Sequence, residues 1–239
     1  MSDERATDED RTGDRTSEGR ATGERVRDPD GIELGDPFRR HVADAFGFDA
    51  EPATFRELWA RMLATFAAGL DRPVSAADLC TTDASPHRAV VDGESQSFQC
   101  VTDAFIFAGL HDGDATIRTV SPLDGEALTV EFDAMGAAAA PEGAVLSLGV
   151  ERGTGAPDSP VTPERMYGRL CPYSKAFTSR EEYERWTDDR PEIATEVLPL
   201  DVALTLLARL TGRAFDANGQ SRSGSADEAD CACATEVDC

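Results

Sequence analysis

The apolar side chains are confined to the middle of the chain, and this limits where a hydrophobic core can form. Residues 1–34 are charged and rich in Gly, Ser, Thr and Asp, and residues 216–239 are similar apart from three cysteines. Segments with so few apolar side chains bury too little surface to offset the entropy of ordering. We therefore predict two disordered tails, the first of them acidic, around a folded region of residues 35–215. That length suits one domain, or a core domain with a small helical one.

The chain is strongly acidic, with 46 Asp and Glu against 23 Lys and Arg among its 239 residues and a formal net charge of −23. Only one of the basic residues is a lysine, Lys175. Carboxylate excess with almost no lysine is typical of a surface kept hydrated in concentrated salt, so we predict a halophilic protein. An acidic protein that repels nucleic acid is the alternative. In both cases DNA binding is disfavoured, because phosphate contacts need clustered Lys and Arg.

Targeting signals are missing from the sequence. No stretch approaches the roughly 20 apolar residues of a membrane span, and the N-terminus lacks the apolar run of a secretory signal. We expect a cytoplasmic protein without a membrane partner. Six cysteines in that compartment are expected to be reduced, and either metal-binding or reactive.

Helix signals open the folded region. Asp36-Pro37 is a cap followed by a first turn. The capping box Thr54-Phe55-Arg56-Glu57 leads into a run of apolar residues at spacings of three and four, which predicts one buried helix face. Pro73-Val74-Ser75 predicts a short third helix that ends near Cys80. Residues 35–85 are therefore predicted to form a small helical bundle or a truncated helix-turn-helix.

The remaining region, residues 86–215, mixes strands and helices. The predicted elements are a hairpin over 87–98 with its turn at Asp92-Gly93, a buried helix over 101–110, strands at 115–120, 126–132, 144–150 and 192–198, a loop over 152–162, a helix capped by Ser179, and a last helix from Pro199 to Gly212. This mixed order predicts an α+β fold, with a mixed β-sheet core and flanking helices after the N-terminal helical region.

Cys100 and Asp103 are the first residues that could carry chemistry. On a helix, residues three apart share a face, and Cys100 would lie in the first turn, where the helix dipole favours a thiolate. A carboxyl beside a thiolate shares one proton readily, because two adjacent anions disfavour each other. On spacing alone, a buried structural cysteine followed by a helix-start acid is the favoured interpretation, because free cysteine is among the most buried residue types.

The other cysteines fall into two groups. Cys171 is followed by Pro172 and lies near Lys175, whose ammonium would favour a thiolate, but taken alone Cys171 is more readily interpreted as a core cysteine. The C-terminal sequence CACATEVDC contains Cys231, Cys233 and Cys239, a soft-metal pattern that fits Cu(I), Zn(II) or Hg(II), and the alternative is a tail that merely tolerates cysteine. Cys80 and the three histidines, His41, His87 and His111, have no metal-ligand spacing and are predicted to be structural.

These motifs together resemble those of the organomercurial (alkylmercury) lyase family over residues 97–212. The most specific part is SFQCVTDAFIFAGL, an aromatic residue, a cysteine, two residues, an aspartate and then an apolar helix. PEGAVLSL and then LCPYSKAFTSREEYERW are similar to the later family segments that lead to and contain the second cysteine. Family members carry a winged-helix-like N-terminal domain, which is shortened here to a truncated winged-helix-like region.

The resemblance implies an enzyme that cleaves carbon–mercury bonds by protonolysis. Cys100 and Cys171 would bind mercury as thiolates, and Asp103 would take up thiol protons and pass one to the carbon. The substrate would be a small organomercurial, and no cofactor is expected beyond reducing thiols, with Hg(II) as the bound product. A mercuric reductase or a low-molecular-weight thiol is the candidate acceptor, and the tail cysteines are candidate additional ligands. The alternative function is a non-catalytic thiol protein that binds or senses Hg, Cu or Zn.

Overall fold

The computed structural model describes residues 32–207, except for residue 71, residues 73–74, residue 112, residues 134–137 and residues 159–162. Both predicted tails lie almost entirely outside these residues. The helices are α1 (Asp36–Phe46), α2 (Phe55–Leu70), α3 (Val101–Gly109), α4 (Pro163–Leu170), α5 (Arg180–Asp188) and α6 (200–207). The strands are β1 (His87–Val91), β2 (Glu94–Phe98), β3 (Ala115–Val120), β4 (Ala127–Phe132), β5 (Ala138–Ala139), β6 (Val145–Glu151), β7 (Lys175–Phe177) and β8 (Ile193–Pro199).

The strands form two antiparallel sheets, which confirms the predicted α+β class. The larger sheet has the order β2-β1-β3-β4-β5 and the smaller one the order β7-β6-β8. The hairpin turn has positive φ at both Asp92 and Gly93, 52° and 83°, as a two-residue type I′ turn requires. One hydrophobic cluster contains side chains from α1, α2, α3 and both sheets, so the N-terminal helices pack on the same core as the strands.

Local capping explains where two of the helices begin. The Glu57 N–H donates to Thr54 Oγ1 at 3.2 Å, and the Glu57 carboxylate accepts from the Ala53 N–H at 2.8 Å. At α5, Ser179 Oγ accepts from the Glu182 N–H at 3.2 Å, and the Glu182 carboxylate accepts from the Thr178 N–H at 2.9 Å. Both predicted capping boxes are therefore present, with the reciprocal bond made one residue earlier than in the ideal motif.

Two predictions of local structure were wrong in detail, and some elements were not predicted. The short helix predicted from Pro73 is, in the part that is described, only a 3₁₀ turn over Ala76–Asp78. Pro199 ends β8 instead of starting the last helix, because it still pairs with β6 opposite Val145. Helix α4 and strand β7 were not predicted, although Pro163 followed by Tyr167 and Leu170 has helical spacing.

No helix within the described ranges combines the length and the apolar character that crossing a membrane would require.

Candidate active site

Cys100 lies at the junction between β2 and α3. It has extended backbone angles, φ −118° and ψ 137°, and is the N-cap of α3, not a residue of its first turn as predicted. The residue is 2% exposed, and it lies where the unpaired N–H groups of the helix start are concentrated. A sulfur at an N-cap can accept hydrogen bonds from these groups, so this position favours a thiolate more directly than the predicted one.

Asp103 occupies the third position of α3 and is buried, with 3% of its surface exposed. Its Oδ2 accepts a hydrogen bond from the backbone N–H of Cys80 at 3.1 Å. Burial, and then the negative charge of Cys100, raise the pKa of Asp103 well above its usual value, and the Cys80 N–H opposes this only in part. A raised pKa means that this carboxyl holds a proton under conditions where an exposed aspartate would be ionised.

Cys171 reaches the same place from a distant part of the chain. Helix α4 ends at Leu170, and Cys171 begins the 3₁₀ turn Cys171–Tyr173, which leads into β7. The backbone N–H of Ser174 closes this turn by donating to the Cys171 carbonyl at 3.3 Å. Cys171 is half-buried, whereas Cys100 is buried, and neither forms a disulfide.

The two thiols share a hydrogen bond and shift each other in opposite directions. The bond from Cys171 is the main cause that lowers the pKa of Cys100 to about 7, with further contributions from the side chain and the N–H of Thr102. The same bond raises the pKa of Cys171, and burial raises it further. The Thr102 hydroxyl oxygen is buried, and it makes no hydrogen bond of ordinary geometry in the described part of the chain. The arrangement thus favours the thiolate at Cys100 over one at Cys171, beside a carboxyl whose pKa is raised.

Lys175 adds a positive charge to this region. The chain's one lysine is buried on β7, and its charge lowers the pKa of Cys100. Burial, and then the charge of Lys175, lower the pKa of His87 to about 4, so His87 is neutral at neutral pH and its Nδ1 lies 2.6 Å from Thr119 Oγ1. His87 was predicted to be structural, and its hydrogen bond to the sheet is consistent with that prediction.

Two further residues surround the site and were missed as site residues. Cys80, predicted to be structural, supplies the N–H that binds Asp103, and its negative charge contributes to the raised pKa of Cys171. Tyr167 is buried, and after burial the charges of Asp103 and the three nearby cysteines raise the pKa of its hydroxyl. No sequence motif marks either residue, because both reach the site through long-range contacts.

The remaining predicted residues do not join this cluster. His41 lies against Arg152 on the surface, with 3.3 Å between His41 Nε2 and Arg152 Nη1, and His111 packs against the Phe107 ring. Cys231, Cys233 and Cys239 lie outside the described residues. Within the described ranges, no three His, Cys, Asp or Glu side chains are arranged so that they could jointly hold a metal ion. Mercury bound by thiolates does not require a third protein ligand of this kind.

The similarity of the chain to individual known proteins is limited. No curated protein matches the chain at a significant level. Among solved structures, the chain is similar to the mercury-bound form of MerB2, with 16% sequence identity and a TM-score of 0.43 over 55% of this chain and 59% of that chain. This chain thus covers less than two thirds of that protein, and the likeness is too low to carry an argument by itself.

The family comparison is more direct. The model of MerB, described as alkylmercury lyase, matches residues 80–212, which is more than half of the chain. The matched range begins at Cys80 and contains the two hydrogen-bonded thiols and the buried carboxyl. The chain belongs to the alkylmercury lyase family.

Proposed function

We propose that this protein cleaves the carbon–mercury bond of small organomercurials by protonolysis, releasing a hydrocarbon and retaining Hg(II) on Cys100 and Cys171. One observation carries the proposal: a buried carboxyl with a raised pKa lies beside a hydrogen-bonded pair of free thiols. Thiolates are soft ligands for a soft metal, and a protonated carboxyl can supply the proton that the leaving carbon needs.

The first step is capture of the organomercurial cation. Cys171 is the more exposed thiol, whereas Cys100 is the better thiolate because its pKa is about 7. The Cys100 thiolate forms a sulfur–mercury bond and displaces the ligand that the organomercurial carried in solution. Burial of Cys100 keeps water from competing for the metal.

The second step is proton transfer to carbon. Asp103 donates its proton to the carbon as the carbon–mercury bond breaks, and the electron pair of that bond forms the new carbon–hydrogen bond. The Cys171 thiol then gives its proton to the Asp103 carboxylate and binds mercury as a thiolate. The net proton therefore comes from Cys171, and the products are the hydrocarbon, a protonated Asp103 and Hg(II) on two sulfurs.

The hydrogen bond from Cys80 orients the acid. Because Asp103 Oδ2 accepts the Cys80 N–H, the acidic proton is favoured on Oδ1. A proton held on one oxygen of Asp103 can be oriented toward the carbon that accepts it, which is the usual contribution of a positioned general acid.

The same residues also distinguish this function from that of a metal carrier. A protein that only binds or senses Hg, Cu or Zn needs thiols but has no use for a buried proton donor beside them. The acceptor of Hg(II) is proposed to be a low-molecular-weight thiol or a mercuric reductase, and the tail cysteines are proposed to bind Hg(II) between the active site and that acceptor. The protein is proposed to act in the cytoplasm without a cofactor, provided that reducing thiols are present.

The test is an assay of arene release from an arylmercury compound, with excess thiol and molar KCl. Cys100→Ser and Cys171→Ser should each abolish release while the protein stays folded, because a hydroxyl is a poor ligand for mercury. Cys239→Ser, in the tail, is the matched control and should retain full activity under excess thiol. Mercury binding without arene release by the unaltered protein would favour the carrier function, and near-normal release by both active-site variants would refute the proposed roles.

A further inference from the structure

The segment of residues 75–81, here called the Asp103 strap, connects the two halves of the site. It runs from the 3₁₀ turn Ala76–Asp78 to Thr81, which pairs with Phe98 at the end of β2. On one side it contacts the residues around Cys100 and Asp103, and on the other it contacts α4, the helix that leads to Cys171. The inference below rests on the proposed function, because it concerns how that reaction's acid is held.

Cys80 makes the contacts to the first half-site. Its N–H donates to Asp103 Oδ2 at 3.1 Å, and its carbonyl accepts the N–H of Gln99 at 2.9 Å. Gln99 directly precedes Cys100, so Cys80 alone is hydrogen-bonded both to Asp103 and to the neighbour of Cys100. A shift of the strap would therefore move the hydrogen-bond donor of Asp103 relative to the sulfur of Cys100.

Tyr167 makes the contact to the second half-site. This buried side chain on α4 donates its hydroxyl proton to the Asp78 carbonyl at 2.6 Å. Its ring packs edge-on against Phe66 of α2, with 5.5 Å between ring centroids, so the direction of the hydroxyl is set by packing. Four residues later the chain reaches Cys171.

The strap is rigid enough that the position of Asp78 determines the position of Cys80. The Asp78 carboxylate pairs with the guanidinium of Arg72 and accepts from Ser75, at 2.7 Å from its N–H and 2.9 Å from its hydroxyl. The Leu79 N–H also donates to the Ala76 carbonyl at 3.2 Å. A turn closed by several bonds moves as a unit, so fixing its Asp78 carbonyl also fixes the Cys80 N–H two residues later.

We propose that Tyr167 is a positioning residue for the lyase reaction, whose hydroxyl holds the Asp103 strap at a set distance from the Cys171 turn and so orients the Asp103 carboxyl toward the bound organomercurial. Tyr167 does not touch the reacting atoms. Its effect is on the geometry of proton transfer and not on mercury capture, which depends on the sulfurs.

The experiment compares Tyr167→Phe with Tyr183→Phe. Both changes remove one buried hydroxyl and keep the ring, and Tyr183 is a matched control because its hydroxyl lies 2.7 Å from Thr195 Oγ1, in a separate hydrophobic cluster around Trp186. Two quantities are measured for each full-length variant in molar KCl. One is hydrogen exchange of the Cys80 amide, which needs no substrate, and the other is kcat and KM for an arylmercury compound with excess thiol.

The expected result for Tyr167→Phe is faster exchange of the Cys80 amide and a kcat lowered about tenfold, the scale of one misplaced hydrogen bond, with KM nearly unchanged. Tyr183→Phe should change neither quantity. Unchanged Cys80 exchange in Tyr167→Phe would overturn the inference whatever the activity, and so would faster exchange with an unaltered kcat. If the unaltered protein released no arene, the proposed function would fail, while the exchange data would still decide whether Tyr167 holds the strap.

Discussion

Replacing Asp103 by Asn is the sharpest test of the proposed mechanism, because it removes the acidic proton and little else. The two side chains have nearly the same shape, and the asparagine oxygen can still accept the Cys80 N–H that now lies 3.1 Å from Asp103 Oδ2. Burial raises the pKa of Asp103 well above its usual value and so favours the uncharged carboxyl, whose charge the asparagine amide reproduces. The thermal midpoint and mercury binding are therefore expected to be nearly unaltered.

The expected loss is confined to cleavage. An amide cannot release a proton at neutral pH, so proton transfer to carbon would have to come from water, which is largely excluded from a residue that is 3% exposed. Loss of a positioned general acid typically lowers the rate by about 10² to 10⁴. Single-turnover arene release from an arylmercury compound, measured at a protein concentration above that of substrate, reports this step without interference from product release.

Asp92→Asn is the matched control for this prediction. Asp92 is exposed in the β1–β2 turn at φ 52°, a conformation that asparagine adopts readily, so this variant should cleave at the native rate. Cleavage by Asp103→Asn within a few-fold of the native rate would refute the assignment of Asp103 as the proton donor. A parallel loss of mercury binding would instead mean that the substitution disturbed the thiols.

Three other predictions follow from the charges and the cysteines. The kcat/KM for arene release should rise with pH through an apparent pKa near 7, because the thiolate of Cys100 is the form that captures the organomercurial. Thr102→Val should move this rise to higher pH, because the Thr102 side chain lowers the pKa of Cys100, whereas Thr102→Ser should not move it. An unmoved rise in the valine variant would contradict the proposal that the Thr102 hydroxyl favours the Cys100 thiolate. The protein should unfold at a higher temperature in molar KCl than in dilute buffer, because the repulsion within a net charge of −23 is screened only when the Debye length falls to about 3 Å near 1 M salt. An equal melting temperature in the two solutions would argue against a halophilic protein. Truncation after Asn218 should slow repeated turnover only when external thiol is scarce, because the tail cysteines are proposed to accept Hg(II) at an effective concentration of roughly millimolar. Equal rates of the truncated and full-length proteins at limiting thiol would contradict this proposed transfer of Hg(II) to the tail.

Local chemistry explains why much of the secondary structure could be predicted. The Asp92-Gly93 turn, the capping residues Thr54 and Ser179, and the apolar run after Cys100 act over a few residues, and each corresponds to an element boundary within one or two residues. The spacing of Cys100 and Asp103 is also local, so their common location at the start of α3 was predictable. The N-cap position of Cys100 was missed by one residue, because periodicity does not locate the first helical residue.

The tertiary structure decided which distant groups complete the site. Asp103 and the Cys80 N–H are 23 residues apart in sequence, and Tyr167 and the Asp78 carbonyl are 89 apart. Such contacts depend on how helices and sheets pack, and neither side-chain periodicity nor capping motifs carry that information. The sequence by itself determined that Cys100 and Asp103 would meet at the start of one helix and that Cys171 was a candidate partner. Only packing brought Cys171, Lys175 and the Asp103 strap to them, and burial in that packing is the main cause that raises the pKa of Asp103 above its usual value.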